Sequence, residues 1–285
     1  MNNDNLRIPV WVLIVLFLIS FLLLNIILGA TIVPMLLSGT SESTSHSVFY
    51  LYVEEIIMLV SVFVPAILIL HFSHQPISVL GLNIKGRGKD MLYGMFTAGV
   101  IYLVGFSVAL FSGTVQVTAV HFDFLSLLVY FIFFLIVAVT EEVMVRGFIL
   151  GQLLRTSLNK FVALFLSSLI FASFHLFNPN LSWLPMVNLV LAGILLGSTY
   201  IYTRNLWFPI ILHLFWNWIQ GPVLGYEVSG LGFGTKMFTL HLSSNKIVNG
   251  GAFGFEGSII CFVLVIVMTG LIILWSEKHQ SIVSR

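Results

Sequence analysis

Leu125-Ser-Leu-Leu-Val-Tyr-Phe-Ile-Phe-Phe-Leu-Ile-Val-Ala-Val-Thr-Glu141-Glu142-Val-Met-Val-Arg146 ends a run that otherwise reads as lipid-facing helix with three ionisable side chains. A charge at bilayer depth costs about 2.5–3.5 kcal/mol, so this group needs a local purpose. Glu142 and Arg146 stand four apart with the acid N-terminal, the favoured order for a pair on one helix face. Glu141 lies about 100° further round the helix and has no partner within its own segment. One paired and one spare carboxylate at membrane depth mark a site.

Composition supports the membrane reading. Of 285 residues, 59% are hydrophobic and 8% charged, against about 25% charged in a soluble domain. The expected fold class is an all-α polytopic membrane helix bundle, a single integral membrane domain over 1–285 whose surroundings are the lipid bilayer. Net charge is +1 and the basic residues are scattered, which excludes nucleic acid as a partner. Cys261 is the sole cysteine, so no intrachain disulfide forms, and its apolar setting reads as a small buried hydrophobe. Arg7 precedes an apolar stretch too long for a signal-peptide core, with no cleavage site close behind it, so it reads as a retained first span.

At roughly 20 apolar residues per span, about eight spans are expected: 9–30, 48–72, 91–112, 125–150, 161–178, 184–202, 207–220 and 257–275. Pro209 suits the first turn of the short seventh. With the N-terminus inside, Arg7, Lys85, Arg87, Lys89, Arg155, Lys160, Arg204, Lys278 and Arg285 all fall on the cytoplasmic side. The first three outer loops hold no Lys or Arg, so both termini are expected inside. The glycine-rich loop 221–256 reads equally as a lid or as a plain connector. Its Gly230-Leu-Gly-Phe-Gly-Thr-Lys236 lacks phosphate-loop spacing.

Two more polar sets lie downstream. Phe171-Ala-Ser-Phe-His175 closes the fifth span, and His213-Leu-Phe-Trp-Asn217 puts His213 and Asn217 on one face of the seventh. Singly, each is explained by interhelical hydrogen bonding. Together with Glu141 and Glu142 they are best accommodated in one hydrated cavity, because lipid offers no partners. Such a cavity holds the groups for hydrolysis. A carboxylate takes a proton from water, a histidine orients that water or binds a metal that acidifies it, and a His–Asn pair donates to an oxyanion.

The series E-E-x-x-x-R, F-x-x-x-H and H-x-x-x-N on successive membrane helices resembles the CAAX-processing and bacteriocin-processing (CPBP/Abi) family of intramembrane endopeptidases. The matches are Glu141-Glu142-Val-Met-Val-Arg146, Phe171 to His175 and His213 to Asn217, in a family-like core over 125–220. Gly193 to Gly197, Thr203 to Trp207 and Pro209 to His213 share the family's texture. The resemblance implies a site facing the cytosol. Glu141 would activate water with help from His175, Glu142 and Arg146 would form a supporting ion pair, and His213 with Asn217 would hold the oxyanion.

The family is viewed both as metalloprotease and as metal-independent glutamate protease. This sequence has no H-E-x-x-H motif, and Glu141, His175 and His213 would just suffice for a catalytic divalent metal such as zinc. CAAX-like prenylated tails, bacteriocin or other peptide precursors, and membrane proteins are all compatible substrates; a self-immunity role also fits. The competing readings are a proton-coupled transporter and a non-catalytic immunity or scaffold protein. Oligomeric state is left open.

Counted from the inner boundary, His213, Glu141 and His175 lie about 6, 10 and 15 residues deep, a spread of over roughly 10 Å at 1.5 Å per residue. Tilt, or an unwound start to the fifth span, would reconcile them. Glu54 and Glu55, near the outer end of the second span, lack a basic residue four positions on and read as interfacial or structural. Gly193 and Gly197 read as a close-packing pair within the bundle or between chains. Asp123 and His241 have no evident partner.

Overall fold

The computed structural model describes residues 8–37 and 48–283; Arg7 and Arg285 lie outside them. The helices are α1 (Val10–Leu37), α2 (Val48–Phe72), α3 (Gly88–Phe111), α4 (Phe124–Glu142), α5 (Lys160–Ser173), α6 (Trp183–Gly197), α7 (Trp207–Trp218) and α8 (Ile259–Val283). α4 continues into a wide π-helical stretch, Val143–Leu150, and α6 is followed by one more turn, Tyr200–Thr203. Among the described residues six helices are long and apolar enough to cross a membrane; α5 and α7 are shorter. α1 is apolar all round, as a lipid-facing helix is. It turns Leu13, Phe17 and Phe21 inward and leaves Ile19, Leu23 and Ile26 exposed.

The short helix α7 lies at the centre, packed against α3 and α4. It buries Phe208, Ile210, Leu212, Leu214 and Trp216. Gly94 of α3 permits this, since a Cβ there would stand 2.6 Å from the Phe208 carbonyl oxygen. In lipid, such close backbone packing and interhelical hydrogen bonds replace the hydrophobic drive between helices.

The two ends of the bundle are distinct. At one, the segment 73–87 meets the start of α7: Leu206 N–H donates to Gly81 O (2.9 Å), Asn205 Nδ2 to Asn83 O (2.8 Å) and Trp207 Nε1 to Leu82 O (3.1 Å). Lys160 and Tyr202 both donate to Glu277 there (2.7 Å each). At the other end, the α3–α4 loop and the α7–α8 loop join through two antiparallel strands, β1 (Val115–Val120) and β2 (Phe238–Leu242), with Val117 opposite Leu240 and a bulge before Ala119. This small sheet is an addition to the helical expectation. Val115-Gln-Val alternates as a strand does, but its partner lies more than a hundred residues on, beyond the reach of any local pattern.

Two local readings are corrected. Asp123 has partners: it caps α4, accepting from Leu125 N–H (3.0 Å), Ser126 N–H (3.2 Å) and Ser126 Oγ (2.7 Å). Those hydrogen bonds, led by the Ser126 hydroxyl, hold its carboxyl below the usual carboxylate range. The fifth helix ends at Ser173, not 178, so His175 sits in the turn that follows. Pro179 steers Asn178 away from helical backbone, so the helix does not run on through 178.

Candidate active site

The wide turn over Val143–Leu150 starts directly after the glutamate pair, and a second one, Ile219–Val223, starts two residues after Asn217. Such turns are frequent at functional sites, where they re-aim side chains from a helix. Between them the structure assembles a buried charge cluster. Arg146 is fully buried. It donates through Nη1 to Glu142 Oε1 at 2.7 Å and through Nη2 to Gly193 O at 3.0 Å, and its guanidinium lies 4.6 Å from the centre of the Phe171 ring. The expected Glu142–Arg146 ion pair is therefore present, and the glycine motif serves packing inside the bundle. A Cβ on Gly193 would stand 2.8 Å from Ser168 Cβ of α5.

Glu142 Oε1 also receives His213 Nδ1 at 2.9 Å. A carboxylate accepts, so Nδ1 carries the proton there, and the bond fixes the orientation of the ring. The other nitrogen, Nε2, then faces Glu141 Oε2 at 3.9 Å. Glu141 is partly open, with 18% of its side chain exposed, whereas that of Glu142 is sealed at 0%. The two neighbouring acids have thus separated into one locked in a network and one at a cavity wall.

That cavity, about 270 Å³, is lined by Glu141, His175, His213 and Asn217, with apolar walls that include Phe133, Phe134, Phe171, Phe174 and Phe233. His175 Nδ1 lies 3.0 Å from Phe171 O, a group that can only accept. Nδ1 is therefore the nitrogen that donates, and in the neutral ring Nε2 is left as an acceptor. His175 shares the cavity with Glu141 without a direct bond to it. Asn217, buried, lines the cavity one turn beyond His213.

The depth mismatch read from the sequence has a structural answer. α7 begins beneath the 73–87 segment, through its bonds to Gly81–Asn83, rather than at the bundle's edge. Counting residues from its start therefore understates the depth of His213. Unwinding occurs at the end of the fifth helix and not at its start.

Two wall residues escaped the sequence reading. Glu55 of α2, read as interfacial, is 9% exposed and lines the cavity, with Oε1 buried and unpartnered. An unpaired acid inside a span was the available signal. Glu256, from the α7–α8 loop, is buried and accepts from Trp216 Nε1 (2.8 Å), Ser229 N–H (2.8 Å) and Ser229 Oγ (2.8 Å). Asn178 Nδ2 donates to Ser229 O (2.9 Å), so the loop is fastened over the cavity from two sides. Nothing in a glycine-rich connector announced Glu256.

Among the described residues, no three His, Cys, Asp or Glu side chains come close enough to hold a metal ion. Glu141, His175 and His213 share a cavity but are not drawn together as ligands.

Residues 123–219 match the family model described as Rce1-like, type II CAAX prenyl endopeptidase Rce1-like. No curated protein and no solved structure matches the chain.

Proposed function

We propose, from the match of residues 123–219 to the CAAX prenyl endopeptidase family model, an endopeptidase that cuts a peptide bond in or beside the membrane with a water activated by Glu141. The observation that carries this reading is the split between the two acids. Glu142 Oε1 is engaged by both Arg146 and His213, whereas Glu141 faces an apolar-walled cavity.

In the proposed reaction Glu141 takes a proton from water while bare His175 Nε2 accepts the water's second hydrogen bond. The hydroxide adds to the carbonyl carbon. The resulting oxyanion is held by the Asn217 amide and by His213, with a proton on Nε2 as well as on Nδ1. Glu142 holds the His213 ring in place through Nδ1, and Arg146 holds Glu142. Glu141 then returns its proton to the amide nitrogen as the C–N bond breaks, leaving an amine and a carboxylic acid, which loses its proton to solvent on release. No step uses a metal.

A transport path would need continuity to the opposite end of the bundle. There Met144, Leu195 and Leu212 at the cavity floor are almost fully buried.

The test compares peptide termini in membrane fractions from cells expressing wild type and Glu141→Gln at equal levels. New termini that require the wild type are expected. Identical termini from two folded proteins would overturn the reading in favour of a non-catalytic role.

A further inference from the structure

The cavity has a closed end and an open end. Its floor is Met144, Leu195, Leu196 and Leu212, each at most 6% exposed. Its rim is formed by the turn after α5 and by the α7–α8 loop, where Phe174, His175 and Asn178 are partly exposed and Leu231 is 49% exposed. The mouth therefore lies at the end of the bundle that carries β1 and β2.

That end is poor in positive charge. Of the chain's 12 Lys and Arg residues, Arg146 is buried in the site, and only Lys236 and Lys246 belong to the loops at the open end. Lys236 is paired with Glu227 at 2.9 Å. Of the other nine, the seven within the described residues, Lys85, Arg87, Lys89, Arg155, Lys160, Arg204 and Lys278, belong to segments at the closed end. Among them, Arg204 Nη2 donates to Leu154 O at 3.3 Å and Lys160 to Glu277 at 2.7 Å, which tie those segments together there. Positively charged loops stay on the cytoplasmic side of a membrane. The start of α1 and the end of α8 on the cytoplasmic side and a cavity opening to that side cannot both hold in this geometry.

We propose that the cavity opens away from the cytoplasm and that its substrates are polypeptides presented from the non-cytoplasmic face, such as exported peptides or outer juxtamembrane segments of membrane proteins. The substrate half of this proposal rests on the endopeptidase reading; the orientation half does not. The rim places His175 nearest the incoming chain, and the phenylalanine walls favour apolar side chains beside the cut bond. A C-terminal tail lying in the cytosol would meet the closed floor.

The test is cysteine accessibility in the full-length protein. Cys261, 1% exposed and the sole cysteine, is replaced by Ala to give a cysteine-free background. Single cysteines are then placed at Leu231 on the rim and at Ile84, 58% exposed, in the basic 73–87 segment. Phe177→Cys, at a position 97% exposed in the turn after α5, serves as a second outer reporter should Leu231→Cys not fold. With a membrane-impermeant maleimide, the outer reporters should label in intact cells, and Ile84→Cys only after permeabilisation. The reverse pattern, or labelling of both ends in intact cells, would overturn the orientation.

The termini generated by wild type, mapped onto their source proteins, should fall in exported or outer segments. Cuts confined to cytoplasmic tails would overturn the substrate class even with labelling as expected. An absence of new termini would overturn the endopeptidase reading and with it the substrate class, while the labelling still decides the orientation.

Discussion

Replacing Arg146 by Met should be the most damaging single change in the cluster that leaves every cavity-lining side chain in place. The substitution conserves much of the volume but removes the fixed guanidinium charge beside Glu142. It deletes the 2.7 Å bond to Glu142, the 3.0 Å bond to Gly193 O and the ring contact with Phe171. Breaking one partner of a buried ion pair costs about 3–5 kcal/mol, because the other charge stays buried and uncompensated. His213 cannot fully replace the arginine, since Nδ1 already donates to the same Glu142 oxygen. Glu142→Gln combined with Arg146→Met removes both charges, and the glutamine Oε1 still accepts from His213. The double variant should therefore recover about 2 kcal/mol of that loss. It should retain a deficit of about 1–3 kcal/mol for the lost charge-assisted bond to the Gly193 carbonyl. Reversible unfolding in mixed micelles with increasing SDS measures all four corners of the cycle. A double variant no more stable than Arg146→Met alone would refute the idea that the arginine's main task is to neutralise Glu142. An Arg146→Met protein as stable as wild type would refute the buried pair itself.

Three further outcomes follow from the same geometry. Gly193→Val should push α6 off α5 at Ser168, costing about 1–3 kcal/mol by overpacking; a melting temperature in detergent equal to wild type would contradict it. Glu256→Ala leaves the Trp216 and Ser229 donors without their acceptor, at about 1–3 kcal/mol for each buried group. It should release the α7–α8 loop, seen as faster protease nicking within 225–245 while the helices stay intact. Exhaustive chelation should leave the rate of peptide cleavage unchanged, since the candidate ligands are not gathered. A loss restored specifically by zinc would show that they gather in the working enzyme.

The sequence alone determined what depends on near neighbours and on the solvent. Lipid forces long apolar runs into helices because their backbone groups must bond internally, so the spanning helices were legible. The Glu142–Arg146 pair was legible too, because residues four apart share a helix face. The membership of Glu141, His175, His213 and Asn217 in one cavity followed from the scarcity of polar partners in lipid. Only the tertiary structure decided which partners those groups take. Glu142 and His213 are 71 positions apart, and their 2.9 Å bond is set by how α7 enters beneath the 73–87 segment. Likewise, Glu55 and Glu256 reach the wall through packing of α2 and folding of a loop that carries no periodic signal. Sequence patterns report the direction a side chain takes from its own helix, and sites form where several helices are brought to face one another.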